Sequence, residues 1–172
     1  MTEKLDIMKN AVVYFGSTTG TCEDLANRIA EKLGIADVKN VRNFGADAEG
    51  YDVLILGTST WGAGELQDDW AAAVGSLKSM NLKGKTVAIF GCGDSQGFSD
   101  TFCGGMKALY DAAVAAGADV IGQVDAAGYT FDASDAVVDG KFVGLALDEV
   151  NESDKTDGRI DAWVPAIKAA LA

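Results

Sequence analysis

Three observations predict a doubly wound α/β domain built on a parallel sheet. Short, continuous apolar runs recur along the chain, as in strands buried on both faces. Stretches with apolar residues at three- and four-residue spacing lie between them, as in helices that cover a sheet. Strand and helix alternate over 172 residues, a length that suits one domain, residues 1–172, around a single core.

The first run is Ala11-Val12-Val13-Tyr14-Phe15, and the helix after it is marked by Leu25, Ile29 and Leu33 at four-residue spacing. A weaker strand near residues 38–41 follows, and then a strong one at 53–57 (Val-Leu-Ile-Leu-Gly). Residues 68–78 form the next helix, ahead of the strand at 86–91 (Thr-Val-Ala-Ile-Phe-Gly). Met106, Leu109, Ala113 and Val114 make the stripe of a third helix, before a strand at 120–124. Residues 125–143 interrupt the alternation with Gly128, Gly140, aspartates and aromatics, and Gly144-Leu145-Ala146-Leu147 then resumes a strand. The last strand is therefore expected to be split by an insertion. Ile160, Trp163, Val164, Ile167 and Leu171 complete a C-terminal helix, which Pro165 should kink by removing the bond to the carbonyl of Asp161.

Composition excludes several function classes. The chain has no histidine, which argues against triad hydrolases and most transition-metal enzymes, so a cofactor would have to bring its own chemistry. Its formal charge of −12 repels nucleic acid and anionic membranes and favours encounters with basic proteins. Cys22, Cys92 and Cys103 are odd in number and lack a CxxC spacing, so reduced thiols are expected. The start of the chain has no signal-peptide core, and no apolar run approaches the roughly 20 residues of a membrane span, which predicts a cytoplasmic protein.

In open α/β sheets ligands bind beyond the carboxyl ends of the strands, where strand order reverses. The loop after the first strand holds Ser17, Thr18, Thr19, Gly20, Thr21 and Cys22, a set of hydroxyls and backbone N–H groups before a helix N-terminus. That is a phosphate cradle without a cation, since no Lys or Arg occurs between Ala11 and Asn27. It matches neither the dinucleotide pattern G-x-G-x-x-G nor the GK[ST] of an NTPase loop. Cys22 and Arg28 satisfy the C-x5-R spacing of a thiolate phosphatase, but the five residues between them read as a first helical turn with two carboxylates that repel phosphate. Trp61, in the loop after the strand at 53–57, and Phe98, in the loop after the strand at 86–91, would form two walls of a slot beside the cradle. A planar ring with a phosphomonoester tail fits such a slot, and FMN meets this description.

With these residues in view the chain resembles a flavodoxin of the long-chain type over nearly its whole length. Residues 15–23 resemble the phosphate loop of that family, 58–70 the first flavin-stacking loop, 90–94 with Gly97 and Phe98 the second, and 140–148 the end of the long-chain insertion. The resemblance implies a five-stranded parallel sheet in the order 2-1-3-4-5, one non-covalent FMN and a low-potential one-electron carrier. It implies that residues 17–22 hold the phosphate and that Thr58, Ser59 and Thr60 reach ribityl or ring. Trp61 and Phe98 would sandwich the isoalloxazine, Cys92, Gly93 and Asp94 would line its pyrimidine edge, and Thr101 and Cys103 would belong to the same cofactor site. The Gly62-Ala63 peptide would turn toward flavin N5, where glycine lets the carbonyl flip on reduction. Glu65, Asp68, Asp69, Asp94 and Asp100, each at roughly 10 Å from the ring, would add about 0.4 to 1.7 kcal/mol of repulsion toward a second negative charge. Cys22 and Cys92 stand where the family commonly has hydroxyl or small residues, and Phe98 where it usually has tyrosine. The partners implied are the basic surfaces of a flavodoxin reductase and of low-potential acceptors, met by a monomer. The competing reading on the same fold is an FMN-dependent NAD(P)H:quinone reductase, and a signalling receiver fits less well because hydroxyls replace its acidic cluster.

Overall fold

The computed structural model describes residues 10–17, 20–61, 65–66 and 68–171, with the side chains at 43, 46–47, 60–61 and 65–66 excepted. Its central sheet contains β1 (Ala11–Gly16), β2 (Asp37–Asn40), β3 (Val53–Trp61), β4 (Glu65–Leu66), β5 (Thr86–Cys92), β6 (Asp119–Ile121) and β10 (Leu145–Leu147). The helices are α1 (Thr21–Leu33), α2 (Asp68–Ser79), α3 (Gly105–Ala115) and α4 (Ser153–Leu171). From one edge the order is β2-β1-β3-β5, all parallel, and β6 and β10 share the outer edge of β5. β6 pairs with Thr86–Ala88 and β10 with Phe90–Cys92, so together they are one fifth strand cut in two. The order 2-1-3-4-5 is the one the family resemblance implies, and the split last strand is as the sequence predicts.

Each principal strand feeds two cores. Val12, Tyr14, Leu54, Leu56, Val87 and Ile89 point to the side covered by α2 and α3. Val13, Phe15, Val53, Ile55, Ala88 and Phe90 point to the side of α1 and α4. Burial on both faces is why the runs are continuous and do not alternate with polar residues. Toward the carboxyl ends, glycines make room for large neighbours. A Cβ on Gly57 would lie 2.0 Å from Cζ of Phe90, and one on Gly91 would lie 2.5 Å from Cγ of Met106.

The expected elements form, with differences at their ends. β3 and β5 run past the predicted residues 57 and 91, to Trp61 and Cys92, and β4 returns antiparallel against the end of β3. The strand expected at 120–124 leaves the main sheet after Ile121, because Gly122 takes φ +84°. There Trp163 fills the space: its Nε1 donates to the Gly122 carbonyl at 2.8 Å, and a Cβ on Gly122 would lie 2.7 Å from that nitrogen. Val124 and Asp125 form β7, which joins β8 (Val137–Val138) and β9 (Lys141–Phe142) in a small antiparallel sheet of order β7-β9-β8. On α3, Met106, Leu109, Ala112 and Ala113 are buried, whereas Val114 is half exposed at the margin of the stripe. α4 runs through Pro165, which sits on its exposed face.

The insertion is braced from two sides. Its Tyr129, Phe131 and Phe142 cluster with Phe102 at ring separations of 4.9 to 6.2 Å. Tyr129 also donates to the carbonyl of Ala146 in β10 at 2.7 Å, under the guanidinium of Arg159. Between α1 and α4, Arg28 meets Asp157 at 2.6 Å and Lys32 meets Asp161 at 2.7 Å, and Arg28 also reaches Asp24, the partner its spacing predicts, at 3.5 Å.

Candidate functional site

The carboxyl ends of β1, β3, β5 and β10 open onto a cavity of about 330 Å³. Eight of the predicted residues line it: Thr21, Ser59, Cys92, Gly93, Asp94, Phe98, Thr101 and Cys103. Two lining residues escaped the sequence reading, Glu149 and Val150, on the turn that follows β10. They lie beyond the carboxyl end of the resumed fifth strand, level with the end of β5, where the rule for open α/β sheets places ligands.

α1 begins at the edge of this cavity. Gly20 precedes it at φ +92°, a left-handed conformation that glycine adopts without strain, and no described side chain caps the helix. The amide of Gly20 donates instead to Oγ of Ser17 at 3.1 Å. First-turn N–H groups without a side-chain cap, at the positive end of the helix dipole, suit an anionic group. Thr18, Thr19, Gly62 and Ala63 lie outside the described residues, as do the side chains of Thr60 and Trp61, whose backbone ends β3. Thr58 is fully buried, with its hydroxyl on the carbonyl of Ser59 at 2.8 Å.

The cysteines belong to the floor. Cys22 is fully buried in the core on the α1 side together with Cys92, so its side chain packs inward while its backbone opens the helix. A hydrogen bond with the Cys92 thiol and burial push the Cys22 thiol well above its ordinary range, and burial does the same to Cys103. Neutral thiols at this depth are not nucleophiles, and Arg28 is occupied by Asp24, Asp157 and Glu149, so the C-x5-R spacing carries no phosphatase site. Gly93 is needed for close packing: a Cβ there would lie 2.8 Å from the amide nitrogen of Cys103, a residue held at φ +53°.

The opposite wall is the 93–98 loop. Oδ1 of Asp94 accepts from the amides of Gly97 at 2.7 Å and Gln96 at 3.1 Å and from Nδ2 of Asn151 at 2.7 Å. The Gly97 amide above all, then Asn151, holds the Asp94 carboxyl below the usual range, so the cavity rim is negative at neutral pH. Phe98 presents its ring to the cavity with 51% of its surface exposed, a cost that a stacked planar partner would remove. No cationic side chain lines the cavity among the described residues. An apolar wall beside an uncapped helix start suits a planar molecule with an anionic tail.

The sequence model of the flavodoxin family matches residues 13–163. The chain belongs to the flavodoxin family. It is 39% identical to flavodoxin 1 of Salmonella typhimurium over 163 residues, which covers 92% of this chain and 93% of that protein. Identity to the flavodoxin of Synechococcus elongatus is 40% over 161 residues, covering 91% and 95% of the two chains. Among solved structures it is similar to the Fusobacterium nucleatum flavodoxin bound to flavin mononucleotide, with a TM-score of 0.90 and 33% identity over 96% of this chain and all of that one. Flavodoxin architecture thus extends through the insertion as well as the core of the sheet.

Proposed function

We propose that this flavodoxin holds FMN in the cavity at the carboxyl ends of β1, β3, β5 and β10 and carries single electrons between redox proteins. The observation that carries the reading is the meeting of a half-exposed Phe98 wall with the uncapped start of α1 across one cavity. The chain is an electron-transfer protein, with the chemistry supplied by the cofactor: FMN, when bound, takes up and releases electrons one at a time. The residues present fit that group. Backbone N–H groups at the start of α1, with Ser17 and Thr21, would receive the phosphate without a counter-cation. Trp61 and Phe98 would flank the ring, and Cys92, Gly93 and Asp94 would meet its polar edge.

The protein's own contribution is to orient the ring, exclude water from its faces and set the charge around it. The carboxylate of Asp94 on the rim would oppose the accumulation of negative charge on a bound flavin ring and so lower its potential. Partners would be a reductase and low-potential acceptors with basic surfaces, met in the cytoplasm by a monomer with net charge −12, so electron-transfer rates should fall with added salt. Among the described residues no helix is long and apolar enough to cross a membrane. The deciding experiment is the visible spectrum of the purified protein with mass analysis of the released chromophore. A colourless protein that refuses added FMN would overturn the proposal.

A further inference from the structure

We infer that Asp148 is a positioning residue for this site, acting through Ser95 and Asn151 on the 93–98 loop that carries Phe98; the inference rests on the proposed FMN reading. Asp148 directly follows β10 and is fully buried, yet no cation pairs with it among the described residues. Among the described residues its carboxylate is held by neutral donors alone. Oδ2 accepts from the amide of Ser95 at 3.2 Å and closely from the Ser95 hydroxyl. Oδ1 accepts from the amide of Asn151 at 3.0 Å, and Nδ2 of Asn151 reaches both oxygens, at 3.2 and 3.1 Å. The same Nδ2 donates to Asp94 at 2.7 Å, which closes a ring through Asp148, Ser95, Asp94 and Asn151.

A buried carboxylate without a counter-charge is a costly way to anchor a loop, and apolar packing does that more cheaply. What this arrangement adds is direction. The amides of Ser95, Gln96 and Gly97 all end on the carboxylates of Asp148 and Asp94, and the Phe98 amide that follows them ends on the Asp94 carbonyl. The two carboxylates therefore determine the path of the loop and the place from which Phe98 faces the cavity. On its other side the ring holds the 148–151 turn, whose Glu149 and Val150 line the same cavity and whose Glu149 lies 3.7 Å from Arg28 of α1. Both rims are thus fixed to one another before any ligand arrives.

The test uses the full chain and the variants Asp148→Asn, Asn151→Ala and Ser95→Ala. In the FMN-free protein, hydrogen exchange of the amides at 95–97 should accelerate at least tenfold in Asp148→Asn and Asn151→Ala, while amides of β1 and β3 keep their protection. The dissociation constant for FMN should rise at least tenfold in the same two variants and by less in Ser95→Ala, which leaves the amide contact in place. A one-electron potential should shift as well, by about 59 mV for each tenfold change in the ratio of affinities for oxidised and reduced FMN. A general loss of stability lowers both affinities together and leaves that ratio unmoved. If Asp148→Asn does not fold, Asn151→Ala decides. Unchanged exchange, or faster exchange with unchanged affinity and potential, overturns the inference. Failure of the parent protein itself to bind FMN overturns the functional reading, and the exchange measurement still decides whether the ring holds the loop.

Discussion

Replacing Gly57 by alanine should destabilise the domain by a specific steric route that a second substitution relieves. The new Cβ would lie 2.0 Å from Cζ of Phe90 and 2.4 Å from Cε1 and Cε2. Carbon atoms rest at about 3.5 Å, so the ring would have to retreat by about 1.5 Å. Phe90 is fully buried in the core between the sheet and the α1 side, so its ring can retreat only by displacing other buried side chains. Overpacking of a closed site costs about 1–3 kcal/mol, and the overlap with three ring atoms places Gly57→Ala at the upper end, about 3 kcal/mol. In a domain of this size that lowers the melting temperature by about 6–12 °C. Phe90→Leu alone should cost about 1 kcal/mol through lost apolar burial. Because leucine vacates the far end of the ring, the double variant should recover at least about 1 kcal/mol relative to the sum. Urea denaturation of the FMN-free proteins, read as midpoint shifts at constant slope, measures all three. Strictly additive costs, or a Gly57→Ala variant within about 0.5 kcal/mol of the parent, would refute the packing argument.

Three further outcomes are expected. Phe98→Ala should raise the FMN dissociation constant roughly tenfold or more, by fluorescence titration, with little change in the stability of the FMN-free protein, because that side chain is already 51% exposed. The Asp94 carboxyl is held below its usual range, so it contributes order above its unfolded pKa and loses that contribution as pH falls through its lowered folded one. FMN affinity should therefore be flat from pH 7 to 5 and decline below about pH 4, a decline that Asp94→Asn should flatten. Burial pushes the Tyr129 phenol up to about 12, so its contribution is complete below pH 10 and is lost as pH rises through about 12. Tyr129→Phe should cost about 1–2 kcal/mol at neutral pH, through the orphaned carbonyl of Ala146, and should remove that alkaline loss in denaturation midpoints measured from pH 9 to 12.

The elements most legible in the sequence are those whose burial is uniform. β1, β3 and β5 are enclosed on both faces, so their runs name them, whereas the edge strand β2 is half exposed and gives a weak signal. The fifth strand misleads because Val120, Ile121 and Val124 form one apolar pattern that serves two sheets, with a positive-φ glycine between them. Cys22 is legible as a core position. It lies on the α1 stripe of Leu25, Ala26, Ile29 and Leu33, all buried, and that spacing predicts an inward side chain. Glu149 and Val150 carry no motif of their own and are found only once β10 is seen to end at the same level as β5. The hydrogen-bonded ring is less legible still, since Asp94, Ser95, Asp148 and Asn151 are brought together across more than fifty residues by the pairing of β10 with β5.

That pairing explains why the insertion can interrupt the last strand without disturbing the site. β6 secures the edge of β5 at Thr86–Ala88, and β10 takes up the same edge again at Phe90–Cys92, so the chain re-enters in register just where the cavity begins. Gly144 allows the re-entry, since a Cβ there would lie 2.0 Å from the carbonyl oxygen of Ile89. Once Leu147 is fixed opposite Cys92, its carbonyl accepts the Gly93 amide at 3.0 Å, and Asp148 falls beside Ser95. The insertion also reaches the far end of the same loop: the amides of Asp132 and Ala133 donate to the carbonyl of Ser99 at 3.0 and 2.9 Å, and Ser134 bonds the carbonyl of Phe102. The loop that bears Phe98 is therefore clamped at both ends by the two products of the split, β10 on one side and the insertion on the other. An uninterrupted fifth strand would supply the first clamp and not the second.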